Sequence, residues 1–148
     1  MAVLTTSSVA PVSPARARLM ASYRNMALWT LQGWIAMFFI AAGYAKLTEP
    51  MDNLVALMEW PALVSQAFVQ GLGIAEIVLA LGVLAPLVSW RIGRPILVMS
   101  AAGLIVLEAV MLGVHALGAN IGLAVVNALL LAITIPVLLG RRACSPRG

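Results

Sequence analysis

Four long apolar runs constrain this chain more than any other feature: residues 26–44, 63–88, 95–115 and 121–139. Together they contain two carboxylates, Glu76 and Glu108, and no lysine or arginine. A helix that crosses the hydrocarbon core of a bilayer needs about 20 mostly apolar residues, at a rise of about 1.5 Å each. Each run is long enough for that. The connectors at 89–94 and 116–120 are short, which forces neighbouring helices to run antiparallel. The expected fold is therefore all-α, a membrane-embedded antiparallel four-helix bundle.

Composition agrees. Of 148 residues, 63% are hydrophobic and 9% charged, where a soluble domain carries roughly a quarter charged residues. The net charge of +4 comes from arginines beside the apolar runs, not from a basic patch interleaved with polar surface. The lipid bilayer is thus the expected surrounding, and nucleic acid is not an expected partner. The single cysteine, Cys144, excludes an intrachain disulfide, a redox pair and a thiolate metal site.

Residues 1–24, rich in Ser, Thr, Ala, Pro and Arg, read as a flexible tail, and 141–148 as a short basic one. The first run starts late for a signal peptide and lacks a clear cleavage site, so it reads as an uncleaved span. The second is longer than a bilayer requires and must tilt, kink near Pro86 or protrude. Pro95 suits the first turn of the third helix, and Pro136 is expected to bend or end the fourth. Between Pro50 and Pro61, Leu54, Leu57 and Met58 recur at helical spacing. That pattern predicts a short amphipathic helix on the outer surface between helices 1 and 2.

Eight arginines give the orientation. Arg16, Arg18 and Arg24 precede the first span, Arg91 and Arg94 join the second to the third, and Arg141, Arg142 and Arg147 follow the fourth. The opposite side has Lys46, with Glu49, Asp52 and Glu59 nearby. Because basic loops stay untranslocated, both termini are expected in the cytoplasm.

A carboxylate near the bilayer centre costs on the order of 3 kcal/mol, so neither Glu76 nor Glu108 is expected to face lipid. Glu108 and His115 are seven residues apart on one helix face, with Met111 between them. Asn120, Asn127 and Thr134 form a second seven-residue stripe, flanked by a ridge of Ala124, Ala128 and Ala132 that permits close packing. Lys46 and His115 lie near the outer edge, with Glu108 and Asn127 roughly 10 Å deeper. Glu76, Glu108, Lys46, His115 and Asn127 are therefore the candidates for ligand binding or proton relay, in an outward-facing polar pocket. The competing reading is structural: such groups also hold helices together through hydrogen bonds, and Lys46 can snorkel to the head groups. No His, Cys and carboxylate cluster has metal-ligand spacing, and no catalytic motif is present.

The first span ends Gly43-Tyr44-Ala45-Lys46-Leu47, and the second contains Gly71-Leu72-Gly73-Ile74-Ala75-Glu76. A basic turn follows at 91–94, and the third span ends in His115. In order and spacing these features, over residues 24–142, resemble the DoxX-like family of small bacterial membrane proteins, with its Gly-x-x-Lys-Leu ending and Gly-x-x-Glu helix. The resemblance implies a four-helix bundle in the bacterial cytoplasmic (inner) membrane. It also implies an association with redox or stress-response complexes, since the family takes its name from a subunit of a thiosulfate:quinone oxidoreductase. The expected function is an accessory or redox-associated membrane subunit, not an independent enzyme, that binds a quinone or another small apolar molecule and partners other membrane or redox proteins. The alternatives are a small-solute transporter or channel, which four helices could form only as a homo-oligomer, an enzyme with quinone chemistry, and a purely structural subunit.

Overall fold

The computed structural model describes residues 13–118 and 120–143. Among them are five α-helices: α1 (Pro14–Thr48), α2 (Met51–Met58), α3 (Gln66–Val83), α4 (Trp90–Leu117) and α5 (Ile121–Ala143). Short 3₁₀ turns at Trp60–Leu63 and Ala85–Leu87 flank α3, and no strand occurs among the described residues. Helices α1, α4 and α5, and α3 with its following turn, are long and apolar enough to cross a membrane.

Several boundaries differ from expectation. The first helix begins at Pro14, within the stretch expected to be a flexible tail, because Ser13 caps it. The Ser13 hydroxyl accepts from the Arg16 N–H, and Pro14 takes the first helical position, where its missing N–H is harmless. Residues 1–12 of that expected tail lie outside the described residues. At the other end, Arg141, Arg142 and Ala143 continue α5 instead of forming a tail, and residues 144–148 lie outside the description. Pro136 lies inside α5 and does not end it.

The surplus length of the second run is taken up in turns. Ser65 caps α3 by accepting from the Phe68 N–H, and the α-helix stops at Val83, before the buried Pro86. The fourth helix begins at Trp90, so the expected connector at 89–94 is almost wholly helical and Pro95 sits inside the helix, not in its first turn. The early start has a packing reason. A side chain at Gly93 would collide with the backbone of Ala85 and Pro86, so glycine lets the first turn of α4 close against the 3₁₀ turn that follows α3.

Helix α2 forms where its apolar spacing predicted. It also does more than rest on a surface: Leu54, Trp60 and Val69 form a buried cluster flanked by Met51, Met58, Leu72 and Met111. The helix is thereby pinned across one end of the bundle. It terminates at Glu59, whose φ of 64° lies where non-glycine residues seldom go.

The four long helices close a ring, α1 against α3, α3 against α4, α4 against α5 and α5 back against α1. Contacts between neighbours step in opposite directions along the chain, as antiparallel helices require: Lys46 meets Glu76 while Gln32 meets the Val83 carbonyl. Ile35, Phe39, Ala80, Leu97, Ala101, Leu104 and Val137 fill the interior. Trp34, Val78, Met99 and Leu129 are exposed on the outside. The expected Ala124–Ala128–Ala132 ridge is not used for packing within this chain, since Ala128 and Ala132 are exposed.

Candidate functional site

The site begins with two glycines. Gly43 on α1 and Gly73 on α3 face each other so closely that a Cβ on Gly43 would sit 2.5 Å from the Gly73 carbonyl oxygen. Three residues beyond each glycine stands a charged side chain, Lys46 on α1 and Glu76 on α3. Side chains on a helix lean toward its N-terminus. In an antiparallel pair they therefore lean toward one another, and these two meet. Lys46 Nζ lies 2.9 Å from Oε1 and 2.8 Å from Oε2 of Glu76, with only 6% and 4% of the two side chains exposed. The pairing gives each buried charge the opposite charge it needs away from water.

One side of this pair opens on a cavity of about 80 Å³. Apolar side chains form most of its wall, among them Phe38, Phe39, Trp60, Met111 and Leu130, with His115 and Asn127 as the other polar members. His115 is buried and also borders two surface grooves. One runs along Ala124 and Ala128 on the outer face of α4 and α5, and the other lies beside Glu59, Gly118 and Asn120 at the α2 end. Asn127 donates to the Leu123 carbonyl of its own helix, and Asn120 bridges α5 to Glu59.

Four of the five residues expected to form one pocket thus surround one cavity. Glu108 does not line it. Its side chain is fully buried and turned toward α5, where the Thr134 hydroxyl donates to Oε1 at 2.9 Å. The same lean explains this departure: Glu108 tilts down α4 and Thr134 tilts the opposite way on antiparallel α5, so Glu108 meets Thr134 instead of Asn127. Among the described residues, no three His, Cys, Asp or Glu side chains gather as a metal ion would require.

A second polar centre, at the end of the bundle opposite α2, does not follow from span hydropathy. Arg141, 1% exposed, donates from Nε to Gln32 Oε1 at 2.6 Å and from Nη1 to Asn25 Oδ1 at 2.8 Å. Its guanidinium lies over the rings of Trp29 and Trp90, at 4.9 and 5.2 Å from their centroids. Gln32 in turn donates to the Val83 carbonyl freed at the end of α3. Arg141 had marked only the side of the membrane. The available signal was the pair Trp29 and Gln32, one helical turn apart in an otherwise apolar run.

The sequence model of the DoxX-like family matches residues 30–137. The chain belongs to the DoxX-like family. The matched stretch runs from the middle of α1 to near the end of α5 and contains the whole cavity. With four apolar spans, this DoxX-like protein is a multi-pass membrane protein. Nothing matches it among curated proteins or solved structures.

Proposed function

We propose that this DoxX-like protein is an accessory, redox-associated subunit of the bacterial cytoplasmic membrane, with its arginine-rich end in the cytoplasm. Its cavity would receive the polar head of a small apolar molecule. The observation that carries this reading is the Lys46–Glu76 pair, buried yet opening on a space shared with His115 and Asn127. A mostly apolar wall with a few convergent polar groups is the usual make-up of a ligand site.

Volume narrows the occupant. A cavity of roughly 150 Å³ accepts a benzene ring, about twice the present space. The cavity as it stands holds a few waters or a single carbonyl-sized group. A quinone ring enters only if the wall yields, and Met58 and Met111 are the unbranched, adaptable side chains placed to do so. The Lys46 ammonium and the His115 ring are then the candidate donors to a quinone carbonyl, with Asn127 beside them.

The test is titration of the purified protein in neutral detergent with a short-chain quinone, reading thermal unfolding. Saturable stabilisation of the wild type, absent when Met111→Trp fills the cavity, supports the reading. No stabilisation by quinones, with no small molecule extracted alongside the protein, counts against it and leaves the ion pair a structural bolt.

A further inference from the structure

The arginine-rich end of the bundle holds a groove that the cavity does not explain. It lies between α4 and α5, has a volume of about 240 Å³, and is lined by Arg94, Pro95, Val98 and Arg142. We infer that this groove is a binding site for one anionic phospholipid, its phosphate between Arg94 and Arg142 and the start of an acyl chain over Pro95 and Val98.

The argument begins with Arg94. Its Nε and Nη2 donate to the backbone carbonyls of Arg141 and Arg142 at 3.2 and 2.8 Å. Those bonds fix the guanidinium at the rim and use two of its five N–H donors. They also satisfy carbonyls at the negative end of the α5 dipole, where an anion would otherwise be repelled. Arg142 is exposed on the other side of the groove. Both arginines are thus at the surface, and the floor between them is apolar.

No Asp or Glu side chain competes for these cations among the described residues. Glu49, Asp52 and Glu59 stand around α2 at the opposite end, Glu76 is held by Lys46, and Glu108 is fourteen residues further along α4, roughly 21 Å away. Depth fits as well. From Arg94 to the α2 end, α4 extends through Leu117, roughly the thickness of a bilayer's hydrocarbon core. The arginines therefore lie at head-group level, and basic pockets between helices at that level recognise anionic lipids.

The experiment counts lipids bound to the intact protein by native mass spectrometry, using phosphatidylglycerol and phosphatidylcholine with identical acyl chains. One phosphatidylglycerol is expected to bind at least tenfold more tightly than phosphatidylcholine. Arg142→Gln is expected to weaken it about fivefold, the ratio that matches about 1 kcal/mol per cation near a membrane surface. Arg91, exposed on α4 but outside the groove, is the control, and Arg91→Gln should change the affinity by less than twofold. Equal binding of the two lipids would overturn the inference. So would equal weakening by both substitutions, which would mean diffuse attraction, or equally strong displacement by inorganic phosphate, which would reassign the groove to a soluble anion. Val98→Trp, which fills the groove without removing charge, must also abolish the preference.

Discussion

Gly43 and Gly73 bring α1 and α3 nearly into backbone contact, and that approach sets the distance across which Lys46 and Glu76 pair. Ala at either glycine would push a methyl against a carbonyl oxygen that cannot move without moving its helix. Gly43→Ala should destabilise the protein by about 1–3 kcal/mol, the range seen when a packed interior is overfilled. Gly33 is the internal comparison, since a Cβ there meets nothing within 4 Å, and Gly33→Ala should leave stability unchanged or raise it by up to about 1 kcal/mol through helix propensity. Thermal unfolding in detergent decides between them, and equal effects at the two positions would mean that the α1–α3 approach is not tight.

The ion pair itself should behave as a unit. Lys46→Met or Glu76→Leu alone leaves one charge buried without its partner, a loss of about 3–5 kcal/mol for buried pairs. The double substitution should be milder than either single change, because no charge is then stranded. A double-mutant cycle on unfolding free energies measures this directly. Additive losses would show that the two side chains do not depend on one another.

The number of spans and the presence of α2 were legible in the sequence because lipid imposes a length and a hydropathy that survive any detail of packing. Helix starts were harder. Ser13-Pro14 marks the start of α1 through a capping residue instead of a periodic pattern, α4 starts at Trp90 without a side-chain cap, and arginines beyond both points hid helical residues. Lys46, Glu76, His115 and Asn127 could each be picked as costly polar groups in or beside an apolar span. Their grouping around a cavity, and the departure of Glu108 to Thr134, depend on how far each helix is rotated and on which way its side chains lean. The matching offsets of Gly43 to Lys46 and Gly73 to Glu76 were the one local hint of the pairing. Arg141 was hidden by its chemistry: a terminal arginine normally reads as a topology marker, and only the tertiary contact with Gln32 and the tryptophans takes it indoors.

Arg141 and Arg142 are adjacent in sequence and opposite in consequence. Arg141→Met would leave the Gln32 and Asn25 oxygens without the donor they share and remove a cation from two indole faces. A loss of about 2–4 kcal/mol is expected, from charge-assisted hydrogen bonds together with cation–π contacts. Arg141→Lys should recover only part of it, since an ammonium cannot match the planar fork that spans both oxygens. Arg142→Met, at an exposed position, should stay within about 0.5 kcal/mol of wild type in lipid-free detergent. Chemical or thermal unfolding of the three variants checks the order. If Arg142→Met proved as damaging as Arg141→Met, the buried cluster would not be what secures this end of the bundle.

The single cysteine supplies a test of orientation that needs no change to the bundle. Cys144 follows Ala143, the last residue of α5, in sequence, and α5 ends at Arg141 and Arg142, at the end proposed above to face the cytoplasm. A membrane-impermeant maleimide should therefore label Cys144 in inverted membrane vesicles and spare it in intact spheroplasts. In a Cys144→Ser background, Leu63→Cys places a thiol at an exposed position by the α2 end, and its labelling should be the reverse. Labelling of both positions from the same face would break the four-span topology, and a clean exchange of the two patterns would invert the protein in the membrane. The second outcome would also move the Arg94–Arg142 groove to the outer leaflet, and the cavity under α2 to the cytoplasmic side.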